Sequence, residues 1–156
     1  MKEIKALPGK TNSTFPVALV VSTFNQPITN ALKEGALERL TELGFTSNEL
    51  TVVEVPGAVE IPLAAQLLAK KKSVQVIIAL GAVIRGETSH YDYVCDQISQ
   101  GCQRVMLDFD IPVLFGVLTT DNEEQAWDRL GGQHGHKGRD MADSAVIMQS
   151  IKQQLE

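Results

Sequence analysis

The sequence predicts an α/β protein, a three-layer sandwich with a four-stranded parallel sheet flanked by helices, on the strength of three features. Short apolar runs rich in β-branched residues recur at 17–21, 50–56, 74–80 and 112–118. Segments with apolar residues at helical spacing follow each of them, and turn residues mark every change of period. Strands that alternate with helices pair in parallel through right-handed crossovers, which leaves helices on both faces.

Taken in order, residues 1–16 show no period and contain Pro8-Gly9 and a polar run from Lys10 to Thr14, so they read as an arm, disordered or laid on a neighbour. The first strand, 17–21, runs into Ser22-Thr23-Phe24-Asn25-Gln26-Pro27. Pro27 suits the first turn of a helix whose apolar positions are Ile28, Ala31, Leu32, Gly35, Leu40 and Leu43, with Gly44 as its stop. The second strand, 50–56, leads through Gly57-Ala58-Val59-Glu60 into a helix reaching about Lys70, with Pro62 near its first turn. Ile61, Leu63, Ala64, Ala65, Leu67 and Leu68 make that helix apolar nearly all round, which predicts cover on more than one side. The third strand, 74–80, stops at Gly81 and is apolar throughout, as a strand buried on both faces should be. Val94, Ile98, Cys102 and Val105, spaced four, four and three apart, then define a helix to about Leu107. After the fourth strand, Asp121 and Glu124 have the spacing of a capping box for a helix ending by Leu130. Residues 131–138 form a glycine-rich loop, and a last helix, from about Arg139 to Leu155, has Met141, Ala145, Met148, Ile151 and Leu155 on its inner face.

The 156 residues, 44% hydrophobic and 21% charged, suit one domain spanning 1–156 that buries roughly 70% of its unfolded surface. A formal charge of -5 and a pI near 5.2 speak against a nucleic-acid groove, and Lys70-Lys71-Lys72 reads as a solvated helix end. Met1 to Lys5 lacks the apolar stretch of a signal peptide, and no apolar run approaches the ~18 residues of a membrane span. A cytoplasmic protein with no membrane partner is expected. Cys95 and Cys102, seven apart on one helix, read as small core residues that cannot form a disulfide.

Ligands of such sheets bind outside the carboxyl ends of the strands, and the polar turn Arg85-Gly86-Glu87-Thr88-Ser89-His90 lies there. A turn that opens a helix presents free N–H groups and the positive end of the dipole to an anion. His90 stands in the same turn; it reads as an acid–base group near neutrality, or as a capping or solvent-exposed histidine. Phe24, just past a strand, either covers the sheet edge or offers a stacking face to a flat heterocycle. Glu60, in the first turn of its helix, either balances the dipole or holds hydroxyls of a polyol. Arg85 reads as a structural ion-pair partner, Phe115 as core, and Arg129 as a cation near a helix end. His134 and His136 lack a Cys, Asp or Glu beside them to complete a metal set. No G-x-x-x-x-G-K-[ST], G-x-G-x-x-G or G-x-S-x-G motif is present, so nucleotide hydrolysis and serine esterase chemistry are unsupported.

Several ordered motifs make nearly the whole chain similar to the lumazine synthase family. They are Phe24-Asn25, VPGAVEIPLAA from Val55, IALGAVIRGETSHYDYV from Ile78, IPVLFGVLTT from Ile111, and Gly135-His136-Lys137-Gly138. The resemblance implies a flavodoxin-like fold and a cofactor-free, metal-free condensation in riboflavin biosynthesis. Its small-molecule substrates are 5-amino-6-(D-ribitylamino)uracil and 3,4-dihydroxy-2-butanone 4-phosphate. By the same resemblance Phe24 stacks on the pyrimidine, Ala58, Val59 and Glu60 hold the ribityl chain, and Ala82, Val83 and Ile84 line the pyrimidine pocket. Glu87 and Thr88 bind the phosphate through the helix start, and His90 donates the proton. Phe115 and Arg129 arrive from the adjacent subunit of a pentamer, or of a hollow icosahedral shell of sixty subunits, and the arm adds a strand to a neighbour. The absence of an insertion in 131–138 points to the shell. Riboflavin synthase is the implied protein partner. Glu87 departs from the small or neutral residue usual in the family, and a carboxylate beside a phosphate must point outward, so Thr88 carries more weight. A riboflavin- or lumazine-binding or shell-forming homologue without turnover is the alternative.

Overall fold

A computed structural model describes residues 1–7 and 13–156. Pro8-Gly9 and the start of the polar run of the arm therefore lie outside the described residues. Four strands, β1 (Val17–Ser22), β2 (Leu50–Val55), β3 (Val76–Ile84) and β4 (Val113–Thr120), form one sheet in the order β2-β1-β3-β4, every pair parallel. The helices are α1 (Gln26–Glu42), α2 (Ile61–Lys71), α3 (His90–Phe109), α4 (Glu123–Asp128) and α5 (Lys137–Leu155). All of β1 is buried, and its side chains alternate between two cores. Val17, Leu19 and Val21 meet Leu32, Leu40, Met141 and Ala145 of α1 and α5, whereas Ala18 and Val20 meet Ile61, Ala65, Ile98 and Cys102 of α2 and α3. The predicted three layers are thus present. From β1 the chain turns to one side, to β2, and from β3 to the other, to β4, so a crevice opens at the ends of β1 and β3.

Several local expectations are corrected. The third strand begins at Val76 and does not stop at Gly81; it runs on to Ile84, with Gly81 paired to Val117. A Cβ on Gly81 would lie 2.9 Å from Ser22 Oγ and 3.3 Å from both Ala58 Cβ and Ile61 Cδ1, so this glycine serves close approach and not termination. Asn122, not Asp121, caps α4, its side chain accepting the Gln125 N–H at 2.8 Å, because the Asp121 carboxylate is taken by Arg85. The 131–138 loop contains a hairpin of β5 (Leu130–Gly132) and β6 (Gly135–His136), and α5 starts two residues earlier than expected. The inner face of α5 is Met141, Ala142, Ala145, Val146 and Gln149, while Met148 and Leu155 face outward. Small residues allow that rotation: the ring of His136 sits where a Cβ on Gly35 would be, bringing α5 close to α1. On α2 only Ile61, Ala65 and Ala69 are buried; Leu63 and Leu67 are 61% and 54% exposed, so one chain covers one side of this helix.

Ion pairs join α1 to α5, Arg39 to Asp143 at 2.9 Å and Arg139 to Glu38 at 3.1 Å. Glu3, Lys5 and Leu7 line a groove with Ile147, Ser150 and Gln154 of α5. Among the described residues no helix is long and apolar enough to cross a membrane.

Candidate functional site

A cavity of about 290 Å³ occupies the crevice at the ends of β1 and β3, near the lower end of the range for small-molecule sites. Three turns and one strand end build it.

The turn after β1 supplies Phe24 and Asn25. Backbone bonds from Thr23 N–H to Val55 O and from Phe24 N–H to Pro56 O, at 2.8 and 2.9 Å, carry the β1–β2 pairing beyond the strands and pin this turn. Asn25 then reverses the chain in the left-handed region at φ 63° and donates its side-chain amide to Ala82 O at 3.2 Å. Phe24 is left 71% exposed at the mouth. A ring covering the sheet edge would be buried; this one presents a face.

The turn after β2 supplies Gly57, Ala58 and Val59, opening a 3-10 turn at Ala58–Glu60. Glu60 Oε1 accepts the Gly57 N–H at 3.0 Å, so its carboxylate braces the turn and does not line the cavity. The floor is Ala82, Val83 and Ile84, available only because β3 continues past Gly81.

The fourth part is the start of α3, with Gly86, Thr88, His90, Tyr91 and Val94. Ser89 makes no side-chain cap and the Asp92 N–H bonds back to Ser89 O at 3.0 Å, so the turn presents the positive end of the helix dipole more than a full set of open N–H groups. Thr88 Oγ1 accepts the His90 N–H at 3.3 Å, and the His90 side chain stands exposed at the cavity. Glu87 is exposed and does not line it. Burial, more than its hydrogen bond to Cys95, pushes the Tyr91 hydroxyl above its usual pKa.

Phe24, Ala58, Val59, Ala82, Val83, Ile84, Thr88 and His90 are therefore brought together, and Glu60, Glu87, Phe115 and Arg129 are not. Phe115 is half-buried on β4, packed against the α2–α3 core. Arg129 lies in a second cavity of about 270 Å³ at the end of β4, with Thr119, Thr120, His134, Lys137 and Asp140. Its Nη1 donates to Gln125 O at 2.9 Å. Asn25 and Tyr91 belong to the first cavity but were missed. An asparagine between strand and helix was the available sign of a left-handed turn residue, and an aromatic beside His90 the other.

The histidine pair does not converge. His134 Nδ1 meets the carboxylate of Asp128, a partner the spacing did not suggest, and His136 Nδ1 accepts the Arg139 N–H at 3.3 Å as the cap of α5. Among the described residues no group of three His, Cys, Asp or Glu side chains is placed to hold a metal.

Chemically, the first cavity offers an aromatic face and an apolar floor for a flat ring, helix N–H groups for an anion, and an imidazole for proton transfer. A family model for 6,7-dimethyl-8-ribityllumazine synthase matches residues 14–153. The 6,7-dimethyl-8-ribityllumazine synthases of Coxiella burnetii strains CbuG_Q212 and RSA 493 / Nine Mile phase I are each 55% identical over 146 residues, which is 94% of this chain and 97% of theirs. That of strain Dugway 5J108-111 is similar to the same extent.

Proposed function

This chain belongs to the 6,7-dimethyl-8-ribityllumazine synthase family, and from that premise we propose that the cavity at the ends of β1 and β3 is where its reaction occurs. The reaction belongs to riboflavin biosynthesis. It joins 5-amino-6-(D-ribitylamino)uracil to 3,4-dihydroxy-2-butanone 4-phosphate, and phosphate and water leave. The observation that carries the assignment is that His90 and Thr88 share one cavity with the exposed ring of Phe24 and the apolar end of β3.

In this reading the pyrimidine stacks on Phe24 over Ala82, Val83 and Ile84, and the ribityl chain follows Ala58 and Val59. Glu60 acts by holding that turn through Gly57. The phosphate rests on N–H groups at the α3 start beside Thr88, with the Glu87 side chain turned away. The amine attacks the ketone, the adduct loses water to an imine, phosphate leaves, and a second condensation closes the ring. His90 moves protons at these carbon–oxygen and carbon–nitrogen centres, work typically giving about 10²–10⁴-fold. Pairing the two substrates contributes through proximity.

Phe115 and Arg129 lie outside their own chain's cavity, which supports their completing a neighbour's site in a pentamer. Leu63 and Leu67, exposed on α2, are apolar surface of the kind subunit contacts cover. The tight β5–β6 hairpin, without an insertion, favours assembly of pentamers into a shell, and riboflavin synthase, which consumes the product, is the proposed partner. Free thiols at Cys95 and Cys102 suit the reducing cytoplasm.

Mixing the purified protein with both substrates should produce lumazine absorbance and fluorescence; no product at any enzyme concentration would overturn the assignment. His90→Ala should lower kcat about 10²-fold or more with particle mass unchanged, and an unchanged kcat removes His90 from proton transfer. Arg129→Ala should chiefly raise KM for the butanone phosphate; an unaltered KM counts against its role.

A further inference from the structure

We infer that Arg85 is a positioning residue for the condensation, fixing the first turn of α3, and with it His90 and Tyr91, against the end of β4. The inference rests on the reading of His90 as the proton-transfer group. Arg85 is the first residue past β3, and its backbone N–H still bonds Thr120 O at 2.8 Å, so its own position is set by the sheet. Its side chain spans three partners. Nε donates to Asp121 Oδ1 at 2.9 Å, Nη1 lies 3.6 Å from Asp92 Oδ1, and the guanidinium carbon sits 4.2 Å from the centre of the Tyr91 ring. Asp92 is two residues beyond His90 in the first turn of α3, and Tyr91 is a wall of the cavity.

Besides Arg85, a Tyr91 side-chain hydrogen bond with Thr119 of β4 and the Asp92 N–H on Ser89 O hold that turn. Residues 85–90 are exposed, Ser89 supplies no cap, and the bond from His90 N–H to Thr88 Oγ1 is long at 3.3 Å. A planar fork able to meet one carboxylate, approach a second and stack on a ring suits this task better than a flexible ammonium. The charges matter as well as the geometry. Asp92 and Asp121 flank a helix start assigned to a phosphate, and the Arg85 charge offsets part of theirs; with Nε on Asp121 and its plane against Tyr91, it acts through these neighbours. The brace continues to the second cavity, because Asp121 N–H bonds Gln125 Oε1 at 2.8 Å and Gln125 O accepts from Arg129. Since the Arg85 side chain is 45% exposed, its ion pairs should add little to stability, and its loss should appear in turnover.

The test compares Arg85→Met, Arg85→Lys and Asp121→Asn in the wild-type enzyme and in His90→Ala, reading kcat, KM for the butanone phosphate, and Tm. Arg85→Met should lower kcat about 10- to 100-fold and raise that KM, with Tm within about 3 °C of wild type. Arg85→Lys should recover part of kcat, and Asp121→Asn should show a smaller loss of the same kind. In the His90→Ala background Arg85→Met should cost less than about threefold, because the group it positions is gone. A wild-type kcat in both Arg85→Met and Asp121→Asn, or the same fold-loss with and without His90, overturns the inference while leaving the His90 assignment standing. Full activity in His90→Ala alone overturns that assignment, and the inference with it.

Discussion

Replacing Gly81 with alanine sets two effects of opposite sign against each other. Gly81 lies in β3 without a left-handed backbone, so alanine there would gain about 0.4–1 kcal/mol by restricting the unfolded chain, provided the space is open. The space is not open: the new Cβ would stand 2.9 Å from Ser22 Oγ and 3.3 Å from Ala58 Cβ and Ile61 Cδ1. Overpacking of this kind costs about 1–3 kcal/mol, with three neighbours to move at once placing it at the upper end. The net expectation is a loss of about 2 kcal/mol, a fall of about 6 °C in Tm for a chain of this size. The neighbours also couple the change to the cavity, since Ala58 is one of its walls. KM for the pyrimidine should rise more than kcat falls. Ser22 Oγ is fully buried with no hydrogen-bond partner among the described residues, so Ser22→Ala by itself should be near neutral or stabilising. Combined with Gly81→Ala it should restore about half of the lost stability, because it removes the shortest of the three contacts. Thermal unfolding of all four proteins at one subunit concentration measures this. A Gly81→Ala protein as stable as wild type, or a double variant no better than the single, would refute the close-approach reasoning.

Three further outcomes follow from the packing and the charges. Gly35→Ala would put a Cβ 2.1 Å from His136 Cε1, so it should cost about 2–3 kcal/mol despite alanine's helix propensity, and His136→Ala in the same chain should recover part of it; a neutral Gly35→Ala by thermal unfolding refutes the ring's placement. Burial pushes the Cys102 thiol up to about 11, leaving about one in a thousand as thiolate at pH 8. Iodoacetamide should therefore modify Cys102 in the native protein far more slowly than in the unfolded one, a difference read by mass spectrometry. The His134 contact, then the Gln133 N–H, holds Asp128 below the usual carboxylate range. A depressed acid stabilises above its ordinary pKa near 4 and loses that contribution as pH falls through its folded value. Asp128→Asn should thus flatten the acid limb of Tm against pH, and parallel curves would exclude the contribution.

Much of the site was readable because it sits where topology puts ligand sites. Four strand-type runs alternating with helices put the carboxyl ends of a parallel sheet at one edge, and Phe24, the Ala58-Val59 turn and Thr88 to His90 are the segments that follow β1, β2 and β3 there. Glycines and side-chain direction were harder. Gly81 has the look of a strand terminator, yet it pairs with Val117 and lets β1 and the Ala58 turn close in; the difference lies in neighbours far away in sequence. Met148 and Leu155 fit a helical period as well as Ala142 and Val146 do, and only the docking of α5 on α1, through Gly35 and His136, selects the face.

Periodicity, turn chemistry and residue type by themselves determined the layers, the parallel sense of the strands and the edge of the sheet where ligands bind, because these depend on local spacing and on the handedness of short connections; the strand order β2-β1-β3-β4 then put the crevice between β1 and β3. Tertiary structure decided which side chains face that crevice. It turned Glu60 back onto Gly57, left Glu87 exposed and off the cavity lining, placed Phe115 and Arg129 away from their own chain's cavity, and gathered Asp92, Asp121 and Tyr91 around Arg85. Those outcomes depend on the competition of each side chain for partners dozens of residues away, a competition that has no period and leaves no local mark.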